Sequence, residues 1–207
     1  MTTRPTPTLT GPWHLTLPPG WASFPTDPAT ARPAVKRAVE QRMQGAHRDE
    51  LVHHRIDLER RLLDVIEQAR EQGASSVHSL LDPIQGMAVS ATLVVVELTL
   101  LDSDGLLTEM ERVFGAAEGV LEHGTVQAAG MDGVRRLRRK RELDLEAEAN
   151  DPDARFHSTH LDYILAAGPD DYLLLHFTTL TDELADELVL LFDVMADSLH
   201  RRSPRKR

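Results

Sequence analysis

The chain contains no cysteine. That excludes disulfides, thiolate nucleophiles and cysteine-based zinc sites. It also lacks a long apolar run. The most apolar stretch, Met87 to Leu101, includes Ser90, Thr92, Glu97 and Thr99, and is too short and too polar to span a bilayer as a helix. Residues 1–12 are rich in Thr and Pro, with no apolar segment of the secretory kind. These absences lead us to expect a cytoplasmic protein with no membrane partner. Signature motifs are missing too. There is no phosphate-binding Gly-x-x-x-x-Gly-Lys, no dinucleotide Gly-x-Gly-x-x-Gly, no Gly-x-Ser-x-Gly nucleophile elbow and no helical His-Glu-x-x-His.

What is present is a globular balance: 207 residues, 41% apolar and 27% charged, enough for one domain with a sizeable core. The net charge of −10 disfavours general nucleic-acid binding, which depends on cations neutralising phosphates. The cations are segregated. Six lie within seven positions, at Arg135, Arg136, Arg138, Arg139, Lys140 and Arg141, and five more close the chain at Arg201, Arg202, Arg205, Lys206 and Arg207. Without these eleven, 12 of the 23 cations remain against 33 acids, so the body is strongly acidic.

Hydrophobic periodicity gives the order of elements. Trp13, Leu15 and Leu17 alternate as a short strand ended by Pro18-Pro19-Gly20. Helical spacing follows over residues 31–44, with Val35, Val39 and Met43 on one face, and over 47–72, where Leu58, Leu62, Val65 and Ala69 form part of a broad apolar face. From residue 75 the period becomes two. Strands are predicted over 76–81, 87–101, 120–128, 134–145, 160–166 and 172–180, with a short helix over 106–114. The 87–101 strand is apolar on both faces and belongs in the middle of a sheet. Leu184, Leu188, Leu191, Met195 and Leu199 mark a final amphipathic helix. Residues 1–11 read as a flexible leader, 12–200 as one domain with a helical segment at 31–72, and 201–207 as a basic tail.

Several stretches together resemble the PsbP-like fold group. They are Trp13-His-Leu-Thr-Leu-Pro-Pro-Gly-Trp21, Asp162-Tyr-Ile-Leu165, Tyr172-Leu-Leu-Leu-His-Phe-Thr-Thr179, and the helix from Leu191 through Asp193 to Leu199. That group includes the photosystem extrinsic subunit, a Ran-binding nucleotide-release factor and bacterial relatives, among them secretion-effector chaperones. The resemblance implies an α+β protein: a mostly antiparallel sheet packed by helices as an α/β/α sandwich. It implies a non-catalytic binding, adaptor or chaperone-like role toward a protein partner, with no cofactor. The long helical segment at 31–72 departs from the plainest members.

Two clusters carry candidate chemistry. His157, His160 and Asp162 are metal-ligating residue types, the basis of an alternative reading as a hydrolase or metal-dependent enzyme. On a regular strand, however, 157 and 160 point to opposite faces. The basic run is the other cluster. In a strand, Arg136, Arg138 and Lys140 share one face, and Arg135, Arg139 and Arg141 share the other with Leu137. A projecting or edge strand guarded by charge accounts for such a run, with Glu142, Asp144, Glu146 and Glu148 at hand for pairing. Contact with an acidic partner accounts for it as well.

Overall fold

The computed structural model of the chain describes residues 13–43, 51–100, 105–142 and 156–201. A seven-stranded, wholly antiparallel sheet forms its centre. The strands are β2 (Trp21–Pro25), β3 (Ser76–Leu80), β4 (Ala91–Thr99), β5 (Val120–Ala128), β6 (Met131–Glu142), β7 (Phe156–Ala166) and β8 (Asp171–Thr179), in the order β2-β3-β4-β8-β7-β6-β5. A second, two-stranded sheet pairs β1 (Trp13–His14) with β9 (His200–Arg201), matching Trp13 to Arg201 and His14 to His200.

Helices cover both faces. On one face α1 (Pro28–Arg42) and α2 (Leu51–Glu71) pack over β2 and β3, and α3 (Leu106–Gly115) packs over β5 and β6. On the other face lies α4 (Ala185–Asp197), entered through a short 3-10 turn at Asp182–Leu184. The result is the layered α+β arrangement expected from the sequence. Strand alternation decides which side chains go where. Leu93, Val95, Leu161, Leu165, Leu173, Leu175 and Phe177 meet Leu188, Phe192, Met195 and Leu199 in the larger core, under α4. Phe24, Val77 and Val96 meet Val35, Val39, Leu62 and Ile66 under α1 and α2. Phe114 of α3 meets Val134, Ile164 and Tyr172 in a third cluster.

Three details differ from the sequence reading. Trp21–Pro25 is an edge strand of the main sheet that the periodicity does not predict, with Phe24 and Trp21 buried on its opposite faces. Val65, expected in the core, is 38% exposed, because Leu62 and Ile66 already fill the narrow contact of α2 with the sheet. Arg201 belongs to β9, where its guanidinium lies 6.0 Å from the Trp13 ring centre. The leader at 1–11 and the tail beyond Arg201 fall outside the described residues.

The β5–β6 hairpin turns on Ala129 and Gly130, at φ 54° and 74°. Positive φ at both central positions matches the twist of the flanking strands and is the geometry of a two-residue hairpin loop.

Candidate functional site

The basic run lies on β6, and β6 is not an edge. It runs between β5 and β7, paired with β5 from Met131 to Arg138 and with β7 from Gly133 to Glu142. The charge-guarded edge expected from the sequence is therefore corrected for Arg135, Arg136 and Arg138, which lie between two strands, while the described pairs of Lys140 and Arg141 are with β7 alone; the outermost strands are β5 and β2. Among the described residues, Arg135, Arg136 and Arg139 meet acids remote in sequence.

On the α4 face, Arg135 donates to both carboxylate oxygens of Asp193, from Nε at 3.0 Å and Nη2 at 3.1 Å, and to Glu122 at 2.9 Å. The Tyr163 hydroxyl donates to the same Asp193. Burial pushes the Tyr163 hydroxyl pKa up, and its bond to Asp193 pushes the same way. Arg139 lies 3.8 Å from Asp182 and 3.8 Å from Asp186, at the start of α4. His157 lies 3.4 Å from Asp182. These contacts fasten α4 to β6. The described partners of Arg135 and Arg139 are remote in sequence; Asp144, Glu146 and Glu148, the acids expected nearby, lie outside the described residues.

On the opposite face, strand register lines up two rows of side chains. One runs Val77, Val94, His176, Asp162, Arg136, from β3 through β4, β8 and β7 to β6. The next runs Ser79, Thr92, Thr178, His160, Arg138. Asp162 is the anchor, only 3% exposed. Its Oδ2 accepts from Arg136 Nε at 2.9 Å and Nη2 at 2.7 Å, and its Oδ1 pairs with His176 Nδ1 at 2.5 Å. Burial pushes the Asp162 carboxyl pKa up, but the bonds from His176 and Arg136 outweigh it and hold the group below its usual value. Arg136 also lies flat on Phe114, 4.1 Å from the ring centre, a cation–π contact. Sheet, helix α3 and ion pair therefore fix the same guanidinium.

From Asp162 a hydrogen-bonded chain crosses β8 and returns to β7. Thr178 Oγ1 lies 3.0 Å from His176 Nε2 and 3.3 Å from His160 Nδ1, and His160 Nε2 lies 2.7 Å from Ser158 Oγ. The two imidazoles stack with centres 5.4 Å apart. The Ser158 hydroxyl also donates to the Lys140 carbonyl, at 3.5 Å.

Arg138 differs from Arg136 on the same face. Its nearest described carboxylate oxygen is Asp162 Oδ2 at 3.8 Å, which already accepts twice from Arg136, and its own Nε is buried without a hydrogen-bond partner. Of the residues read as metal-like, His160 and Asp162 share this face, whereas His157 faces α4. The three do not converge. Among the described residues no group of three His, Asp or Glu side chains is placed to hold a metal ion.

Sequence reasoning grouped Arg136, Arg138 and Lys140 on one face as observed. It missed His176, Thr178, Thr92 and Ser79. The signal was there in β8, whose odd positions Leu173, Leu175 and Phe177 are all apolar, while its even positions pass from Tyr172 and Leu174 to His176 and Thr178. A strand apolar on one face and half polar on the other marks a face only half covered.

No protein-family model matches the chain, and no curated protein matches it significantly. In fold, the chain is similar to the solution structure of cyanobacterial PsbP (CyanoP) from Synechocystis sp. PCC 6803, at 13% sequence identity and a TM-score of 0.42, with 92% of this chain and 86% of that one covered.

Proposed function

We propose that the protein is a non-catalytic binding or adaptor module of the cytoplasm, and that it recognises a protein partner with the polar half of the sheet between α2 and α3. The observation that carries this reading is the division of labour among the cations. Arg135 and Arg136 donate to described carboxylates that hold the fold together, whereas Arg138, on the same face as Arg136, sits in a half-buried row of hydroxyls and imidazole, 3.8 Å from Asp162 and with its Nε unpartnered. A polar sheet surface of this kind offers area and direction. It suits a macromolecule better than a small substrate.

A hydrolytic alternative starts from Asp162, His176 and Thr178, which have the carboxylate–imidazole–hydroxyl order of an activated nucleophile. The surroundings argue against it. Thr178 lies mid-strand between β4 and β7, where backbone amides serve the ladders on both sides. An acyl-transfer site needs N–H groups aimed at a developing oxyanion, and a doubly paired strand leaves few to supply them.

The test is partner capture from native lysate with the wild-type chain and with Arg138→Ser/Lys140→Ser, captured proteins being identified by mass spectrometry across a salt series. A specific partner lost from the double variant, and weakened as salt rises, is expected. Equal capture by both chains would remove this face from consideration.

A further inference from the structure

The row Ser79, Thr92, Thr178, His160, Arg138 crosses five strands and four gaps, about 19 Å at the usual strand spacing of about 4.8 Å. Every member is half-buried, so each presents some surface. The row starts with three hydroxyls and ends at a guanidinium. Its charge is set by its neighbours. The only described carboxylate beside Arg138 is Asp162, which Arg136 neutralises. The Arg136–Asp162–Arg138 group therefore carries one net positive charge, and Lys140 lies one row further along the same face of β6.

From this geometry we infer that the row is a binding track for an extended, polar peptide segment bearing a carboxylate side chain, with the carboxylate seated on Arg138 and the peptide's polar groups along Thr178, Thr92 and Ser79. The inference rests on the binding role proposed above and names its ligand. Three physical points select this occupant. A single net charge matches one carboxylate, whereas a dianionic phosphate would leave one negative charge uncompensated at the same place. A guanidinium takes a carboxylate through two parallel N–H bonds. Finally, about 19 Å accommodates about five or six extended residues, and the hydroxyl oxygens of Thr178, Thr92 and Ser79 carry lone pairs that can accept from the peptide's N–H groups. Arg136 is outside the track; it positions Asp162 and through it His176.

The probe is a hexapeptide of threonine and serine carrying one glutamate at an end, with both termini blocked. It is titrated into the full chain and followed by backbone amide chemical shifts. Shifts confined to β8, β7, β6 and the adjoining parts of β4 and β3 are expected. Replacing the probe's glutamate by glutamine, or Arg138 by Gln, should weaken binding at least about tenfold, since a charge-assisted bond contributes about 1.4 kcal/mol or more. Arg138→Lys should fall between, keeping the charge and losing the fork. The proposal is overturned if Arg138→Gln binds the peptide unchanged with its amide spectrum intact elsewhere. It is overturned equally if shifts map to another face, or if inorganic phosphate gives the shifts and the peptide does not. Should the peptide fail while Arg138→Ser/Lys140→Ser still loses the native partner, the track is wrong and the binding role stands. If capture is unaffected as well, both fall.

Discussion

At the scale of single residues, the same charge means different things one or two positions apart. Arg136 is 14% exposed and shares Asp162 with His176, so its removal strands a buried carboxylate. Arg136→Leu should destabilise by about 3–5 kcal/mol, the cost of breaking a buried pair from one side. Arg138→Gln, at a side chain 26% exposed and without a close carboxylate, should cost under about 1 kcal/mol. Denaturant unfolding of the two variants separates them, and equal losses would mean that Asp162 relies on both arginines. His78 on β3 offers a pH-dependent counterpart. It is fully buried with Ser23 Oγ 2.6 Å from Nδ1 and Ser76 Oγ 3.1 Å from Nε2. Burial pushes the imidazole from 6.5 down to about 4. Below pH 6.5 the unfolded chain takes up a proton that the folded chain refuses, so stability falls as pH drops through 6.5 toward 4. The loss from this group is about 3 kcal/mol. In His78→Asn that part of the acid loss should vanish, leaving a flatter stability profile between pH 6.5 and 4 than in wild type.

At the scale of elements, α4 carries the larger core nearly alone. Leu188 is 3% exposed among the β-sheet leucines, and Leu188→Ala should cost about 2–5 kcal/mol. The polar clamp on the same helix is testable separately. Asp193→Asn removes the charge that accepts from Arg135 and Tyr163, and should cost about 1–3 kcal/mol. A double-mutant cycle with Arg135→Met should show that the two changes are not additive. How much of this was legible follows from what each signal encodes. The three-four spacing of Leu184 to Leu199 and the alternation of 172–180 are local, and they placed α4 and β8 within a residue or two. Two-faced alternation also put Arg135 and Arg136 on opposite sides of one strand. What faced each arginine was not legible, because pairing Arg135 with Asp193 spans 58 positions and pairing Arg136 with Asp162 spans 26. Sequence proximity suggested the acids just after the run. Sheet order decided the pairings of Arg135 and Arg136, by placing β6 beside β7 and under α4.

At the scale of the molecule, the polar and apolar halves of the α1–α3 face meet along one line between Leu174 and His176. That division could not be read from composition, since both halves use the same strands; it appears only when β4, β8, β7 and β6 are set in register. The small β1–β9 sheet is likewise a long-range product, joining positions nearly the whole described length apart. Its geometry has a mechanical consequence. Trp13 and Arg201 form the outer pair, and His14 and His200 the inner one, so tension on the two chain ends meets the pairs in succession instead of together. Such a clasp peels like a zip, while strands loaded lengthwise must break all their bonds at once. Stretching single molecules from both ends should therefore give a first, low-force extension as β1 and β9 part and Leu15 leaves the core under α4. The main sheet should yield only later, at higher force.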